Sequence, residues 1–267
     1  MLLLLAALLT PQDPSTRIAP SFADTEGTAS EVRPSGQDAA LQKVVAAIAE
    51  AAKENAGKAE KERLTGDALT DLYIRRACAT GQPGKTVILG IAYTLDGTDV
   101  LAKNPFAGDT FKNLESADDR KARLAAMGKP TLRGREDWLA HFVISAGLAM
   151  LVGEQTAESL GIQKEVGDAK GKEKGSGTGF SFTDLNANFA GIAFAEWLIG
   201  EKSKEAIDGC VKSFEGANFL PDPKDLTDGL TWTDFEKKWG GVKDAKFRDE
   251  CQRLRARIQG CKGYEAQ

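Results

Sequence analysis

The chain has 267 residues, 42% of them apolar, with 35 basic and 39 acidic side chains giving a formal net charge of −4. That length and apolar share suffice for a sizeable hydrophobic core, and the near-even charge balance, with no basic patch or like-charge tail, excludes an electrostatic footprint for nucleic acid. The central apolar runs are about 12–16 residues, short of the ~20 that a membrane-spanning helix needs.

Met1 to Leu9 is an apolar run of signal-peptide length, read as part of a signal-like segment over 1–12, with a frayed hydrophobic N-terminus as the alternative. Residues 13–36 are rich in Pro, Ser, Thr and Gly without apolar period and read as a flexible linker. An export signal implies a periplasmic or extracellular protein. The cysteines Cys78, Cys210, Cys251 and Cys261 then allow three pairings, of which Cys251 with Cys261 and Cys78 with Cys210 suit the spacing; without CxxC there is no cysteine zinc cluster.

From Gln37 to Leu64 the pattern predicts a helix, with Leu41, Val44, Val45, Ile48 and Ala52 on one face and a solvated second half. Asp67 to Cys78 predicts a second, turning Leu69, Leu72, Tyr73 and Ala77 inward and ending at Thr80-Gly81-Gln82-Pro83-Gly84. Thr86 to Leu95 reads as a short buried helix in preference to a strand. Residues 104–135 are polar, broken by glycines and prolines, and read as a long surface connection with one helix at Ala117 to Met127. Helices follow at Glu136 to Val152, Gln155 to Val166, Asp184 to Ile199 and Ser203 to Phe214, closing a main domain over 37–214. A C-terminal extension over 215–267 carries Trp232 to Trp239 and Ala245 to Ile258, with Trp232, Phe235 and Trp239 packing onto the main body. The fold expected is all-α, an irregular multi-helix bundle around a central pair of small-residue helices, with a small C-terminal helical extension.

The polar residues of this central region fall where a core should be. Residues four apart share a helix face, so Asp137, His141 (the only histidine) and Ser145 form one stripe, in which Asp137 can fix the imidazole tautomer. No Gly-x-Ser-x-Gly elbow is present, and Ser145 reads as a close-packing residue or one bonding back to its own helix. On the partner helix Asp184 and Asn188 lie one turn apart beside Ala187, Gly191 and Ala195, with Ser181 able to cap the start and Asp184 to complete a capping box. Glu165 and Asp168 precede a Gly/Ser/Lys loop, Lys170 to Gly179, that reads as a lid and lacks the ending of a phosphate-binding loop. The candidate catalytic residues are therefore His141, Asp137 and Asp184, and the candidate ligands for a divalent metal ion are His141, Glu165, Asp168, Asp184 and Asn188. A buried hydrogen-bonded network that only fixes helix register is the competing reading.

At these same residues the chain resembles a group of bacterial envelope proteins, the YfiM-like periplasmic lipoproteins and, more distantly, the VanZ-like proteins. Their outline is Asp-x-x-x-His, a Lys-Glu-x-x-Asp element, then Phe-Ser-x-x-Asp-Leu-x-x-Asn/Asp-x-x-Gly, met here by Asp137 and His141, by Lys164, Glu165 and Asp168, and by Phe180, Ser181 or Phe182, Asp184, Leu185, Asn188 and Gly191. The resemblance covers about a quarter of the chain and implies a helical envelope protein, although no lipobox cysteine follows the signal-like run and VanZ-like proteins are integral to the membrane. Two functions are expected: a structural or binding role in the cell envelope, with an envelope component or protein as partner, and alternatively metal-dependent hydrolysis of an envelope substrate. A glycosidase built on the carboxylate pairs ranks third.

Overall fold

The computed structural model describes residues 36–98, 100–103, 107–111 and 113–264; the signal-like segment and nearly all of the linker lie outside them. Those residues form helices α1 (Gly36–Ala56), α2 (Asp67–Cys78), α3 (Gly84–Leu95), α4 (Gly108–Phe111), α5 (Ala117–Ala126), α6 (Glu136–Val152), α7 (Glu154–Glu173), α8 (Phe182–Ile199), α9 (Ser203–Ser213), α10 (Trp232–Trp239) and α11 (Ala245–Gln259). Short 3-10 turns and isolated β-bridges accompany them, and the described chain is all-α, as the periodicity predicts. No described helix is long and apolar enough to cross a membrane.

The predicted inner face of α1 is the buried one: Leu41, Val44, Val45, Ile48 and Ala52 are in the core. The helix stops at Ala56, not at Leu64 as expected. Asn55 causes the stop, since its amide donates to the Leu64 carbonyl at 3.1 Å and accepts from the Leu64 N–H at 2.8 Å, folding the chain back on itself. Segment 84–95 is helical and almost wholly buried, as preferred on sequence grounds. Two glycines make that burial possible. A Cβ at Gly84 would lie 2.3 Å from the Leu198 carbonyl oxygen, and one at Gly90 2.4 Å from a methyl of Val44.

The expectation of a surface connection across 104–135 needs correction. Leu101, Phe111, Leu114, Met127 and Leu132 flank or lie in it and are buried, and Arg123 is only 1% exposed. Its guanidinium donates to both oxygens of Glu115, at 3.0 Å from Nε, and to the Thr94 carbonyl at 3.0 Å. A polar segment is thus drawn inside by a charge pair whose members satisfy one another.

The centre is the pair α6 and α8, the most extensively packed in the chain, with α3, α7, α9 and α11 also against α8. Fourteen of the 18 residues of α8 are buried, so this helix is enclosed on all sides. Close approach comes from Gly191, where a Cβ would stand 2.0 Å from the Phe142 carbonyl oxygen. Contacts advance together along both helices, His141 with Asp184 and Ser145 with Asn188, so the two run in the same sense with α7 as the return. Their N-termini, where the helix dipole favours anions, therefore meet at one end.

The aromatic residues of the C-terminal segment pack as expected. Phe180 stacks on Phe235 with ring centroids 4.2 Å apart, Phe182 lies 4.6 Å from Trp239, and Phe247 closes the cluster edge-on to Phe180 at 5.9 Å. Phe180 and Leu230 exchange two backbone hydrogen bonds, of 2.8 and 3.0 Å, and Phe182 N–H donates to the Thr227 carbonyl at 3.0 Å. The four cysteines are thiols. Cys78 and Cys210 sit close enough to hydrogen-bond, which with burial raises the Cys210 thiol far above its ordinary value. The local pair expected at the C-terminus, Cys251 with Cys261, is not formed, and the Cys261 thiol donates to the Arg257 carbonyl at 3.6 Å.

Candidate functional site

Ser181 caps α8 as the sequence suggests, its hydroxyl accepting from Asp184 N–H at 3.0 Å. The other half of the predicted capping box is different: the Ser181 N–H donates at 3.2 Å to Oε2 of Glu165 from α7, not to Asp184. Relieved of that role, the Asp184 carboxylate turns to His141, with Oδ2 3.4 Å from Nε2. On the far side of the ring, Nδ1 stands 3.0 Å from Oδ1 of Asn188, which also accepts from Ser145 Oγ at 2.8 Å. Ser145 therefore holds Asn188, and Asn188 holds the imidazole.

Structure and expectation part at two carboxylates. Asp137 keeps its place on the His141 stripe, but its oxygens are taken by Arg135, with Nε 2.9 Å from Oδ1, and it is half exposed. Asp168 is bound by Lys164 at 2.9 Å and by the Thr178 hydroxyl at 3.2 Å. What comes together is smaller than the predicted set: donor atoms of His141, Glu165 and Asp184 all lie within 4.8 Å of one another. Asn188 stands behind the histidine, and Lys164, 3.1 Å from Oε1 of Glu165, is the charge beside the cluster. Neither Lys164 nor Arg135 is among the candidate site residues, although Lys164 belongs to the Lys-Glu-x-x-Asp element; the signal for each is its position one turn or two residues from the carboxylate it captures.

The expected lid is also shorter and tied down. Helix α7 continues to Glu173, and the turn behind it is fixed by Ser176 N–H donating to the Gly171 carbonyl at 2.8 Å and by Lys172 Nζ donating to the Gly229 carbonyl at 2.6 Å. Gly177 is required there, with a φ of +86° and the backbone of Asp168 at 2.8 Å from where a Cβ would be.

Charge is unevenly divided inside the cluster. Burial pushes Glu165 up to about 7, in spite of Lys164. For His141 burial acts downward, yet the hydrogen bond and charge of Asp184 outweigh it and leave the imidazole above its ordinary value. Asp184, opposed by burial, is held below the usual carboxylate range by His141, Lys164 and Arg135. As an imidazolium, His141 donates from Nδ1 to Asn188 and sets its Nε2 3.4 Å from Asp184 as an ion pair.

Both raised groups favour the folded state at lower pH. Glu165 keeps a proton in the folded chain that the unfolded chain releases near 4.5, so its burial costs nothing below that value and progressively more as pH rises through about 7. The His141 contribution is complete below 6.5 and lost as pH climbs past its raised value. The protein is therefore expected to melt higher near pH 5 than near pH 8 by circular dichroism, and Glu165→Gln should shrink the difference. Equal melting profiles for the two proteins would remove Glu165 from the account.

Among the described residues, four buried side-chain atoms have no hydrogen-bond partner, and three belong to α8: Oδ1 of Asp184, Oδ1 of Asn186 and Nδ2 of Asn188. The Asp184 atom matters most, because the residue is 8% exposed and its carboxylate is held in the charged form. No family model matches the chain, and comparison with curated proteins and with solved structures finds no match to either.

Proposed function

We propose that the protein is an exported, helical protein of the cell envelope with a binding role, and that its ligand is received at the His141, Glu165 and Asp184 cluster where α6 and α8 begin. The observation that carries this reading is the buried, partnerless Oδ1 of Asp184. A network serving only to fix helix register gains stability by satisfying each member, whereas an ionised oxygen left open inside the protein costs stability and is retained where something else fills it. The resemblance to YfiM-like envelope proteins falls on these same residues, and the apolar run at Met1 to Leu9 supports export.

Binding is favoured over metal-dependent hydrolysis of an envelope substrate because two of the five groups that reading uses to bind metal or activate water, Asp137 and Asp168, are occupied by Arg135 and Lys164. The test is native mass spectrometry of the mature protein isolated from the envelope fraction, beside Asp184→Asn. A bound mass on the wild type that the variant lacks is the expected result. No bound mass on either, together with a lower melting temperature for the variant, would leave the cluster as a structural network.

A further inference from the structure

We infer that His141 Nε2, Glu165 and Asp184 are the inner ligands of a divalent cation of the zinc class, with Asn188 and Ser145 as the groups that orient the histidine. This rests on the cluster being a ligand site, and goes beyond that reading in naming the ligand.

The first argument is distance. Nε2 of His141 and Oδ2 of Asp184 are 3.4 Å apart, long for a charge-assisted N–H···O bond, which runs at about 2.7–2.9 Å. Two donors each ~2.1 Å from one tetrahedral ion stand roughly 3.4 Å from each other, which is the separation found. The third donor is supplied by Glu165, whose atom lies within the same 4.8 Å envelope.

The second argument is the open oxygen. Oδ1 of Asp184 has no hydrogen-bond partner although the residue is more than nine-tenths buried, and a cation held between the three side chains gives that carboxylate the direct bond that its more distant ion-pair neighbours do not supply. Charge then balances. Neutral His141 with two carboxylates cancels a divalent ion, while Lys164 and Asp168 cancel each other at 2.9 Å. The ion takes the position of the Nε2 proton, and that proton, together with any held by the Glu165 carboxyl, leaves to solvent as the ion binds.

The third argument is the support behind the ligand. A metal-bound histidine generally donates its other ring N–H to a fixed acceptor, which sets the tautomer and presents the second nitrogen as a lone pair. Asn188 Oδ1, 3.0 Å from Nδ1 and itself pinned by Ser145, is that acceptor. One imidazole with two carboxylates suits zinc, manganese or iron(II); calcium needs six or more oxygens and magnesium an oxygen octahedron. With three protein ligands, a fourth position remains for solvent or for an oxygen or nitrogen of a partner molecule.

Titration of the chelator-treated full chain with Zn²⁺, Mn²⁺, Ca²⁺ and Mg²⁺ by calorimetry, with Co²⁺ visible absorption as a second readout, tests this. One Zn²⁺ per chain is expected, bound at least 100-fold more tightly than Mg²⁺. His141→Ala and Asp184→Asn should each weaken Zn²⁺ at least 100-fold, Asn188→Ala about 10- to 100-fold, and Asp137→Asn by less than threefold. Glu165→Gln, close in shape to the native side chain, keeps the test valid should His141→Ala fail to fold. Absence of saturable Zn²⁺, Mn²⁺ and Co²⁺ binding by folded wild type, or equal binding by Asp184→Asn, overturns the inference. If native mass spectrometry then shows an organic mass on the wild type that Asp184→Asn lacks, the binding role stands and only the cation is wrong.

Discussion

Gly191→Ala should cost about 3 kcal/mol or more and lower the melting temperature by roughly 6–12 °C, the larger effect being on the architecture and the smaller on helix propensity. The added Cβ would meet the Phe142 carbonyl oxygen at 2.0 Å, its carbon at 2.8 Å and its Cα at 3.0 Å. All three are backbone atoms, so no rotamer change can make room and α6 must move away from α8. The same displacement pulls Asn188 off His141, so the variant is also expected to lose the ligand site. Gly167→Ala is the control: it lies within α7, nothing stands within 4 Å of its Cβ, and alanine there should be neutral or stabilise by about 0.5–1 kcal/mol. Equal melting temperatures for the two variants would mean that α6 and α8 do not cross as closely as described.

Arg123→Met is the second substitution with a large expected effect, about 3–5 kcal/mol in urea unfolding. It leaves Glu115, whose side chain is 7% exposed, with the Tyr93 hydroxyl at 2.9 Å and the Arg120 guanidinium at 3.7 Å in place of its two-point partner, and it orphans the Thr94 carbonyl. Removing both charges together, as Arg123→Met with Glu115→Leu, should recover most of the loss, because the penalty comes from a buried carboxylate left under-compensated more than from the missing pair. A loss below ~1 kcal/mol for the single variant would show that solvent reaches Glu115.

Much of this architecture is legible because regular helices repeat their geometry. The inner face of α1, the helical character of α3 and the stacking of Asp184 and Asn188 opposite His141 all follow from three- and four-residue spacing. What fails to show is competition for partners. Asp137 has the right register for His141, but Arg135 is two residues away at the helix entrance and offers a bidentate fork. Asp168 goes to Lys164 by an ordinary one-turn ion pair. Glu165 was one of several carboxylates, and nothing local reveals that it takes over the capping of Ser181 and thereby frees Asp184. The buried character of 104–135 stays hidden for another reason: Phe111, Leu114, Met127 and Leu132 follow no period, so they enter the core singly under a pair of charges that a composition reading places in water.

The hydrogen bonds from residues 227–230 to the start of α8 set an order in time. A chain made from its N-terminus has His141, Glu165 and Asp184 in hand well before Thr227 and Leu230 appear. Until they do, the N–H groups of Phe180 and Phe182 lack their acceptors, and both rings lack the Phe235, Trp239 and Phe247 surfaces that cover them. The site is therefore finished last, by residues that contribute nothing to its chemistry. A nonsense mutation near the C-terminus would leave every ligand encoded and still release a sticky, unassembled intermediate to proteolysis.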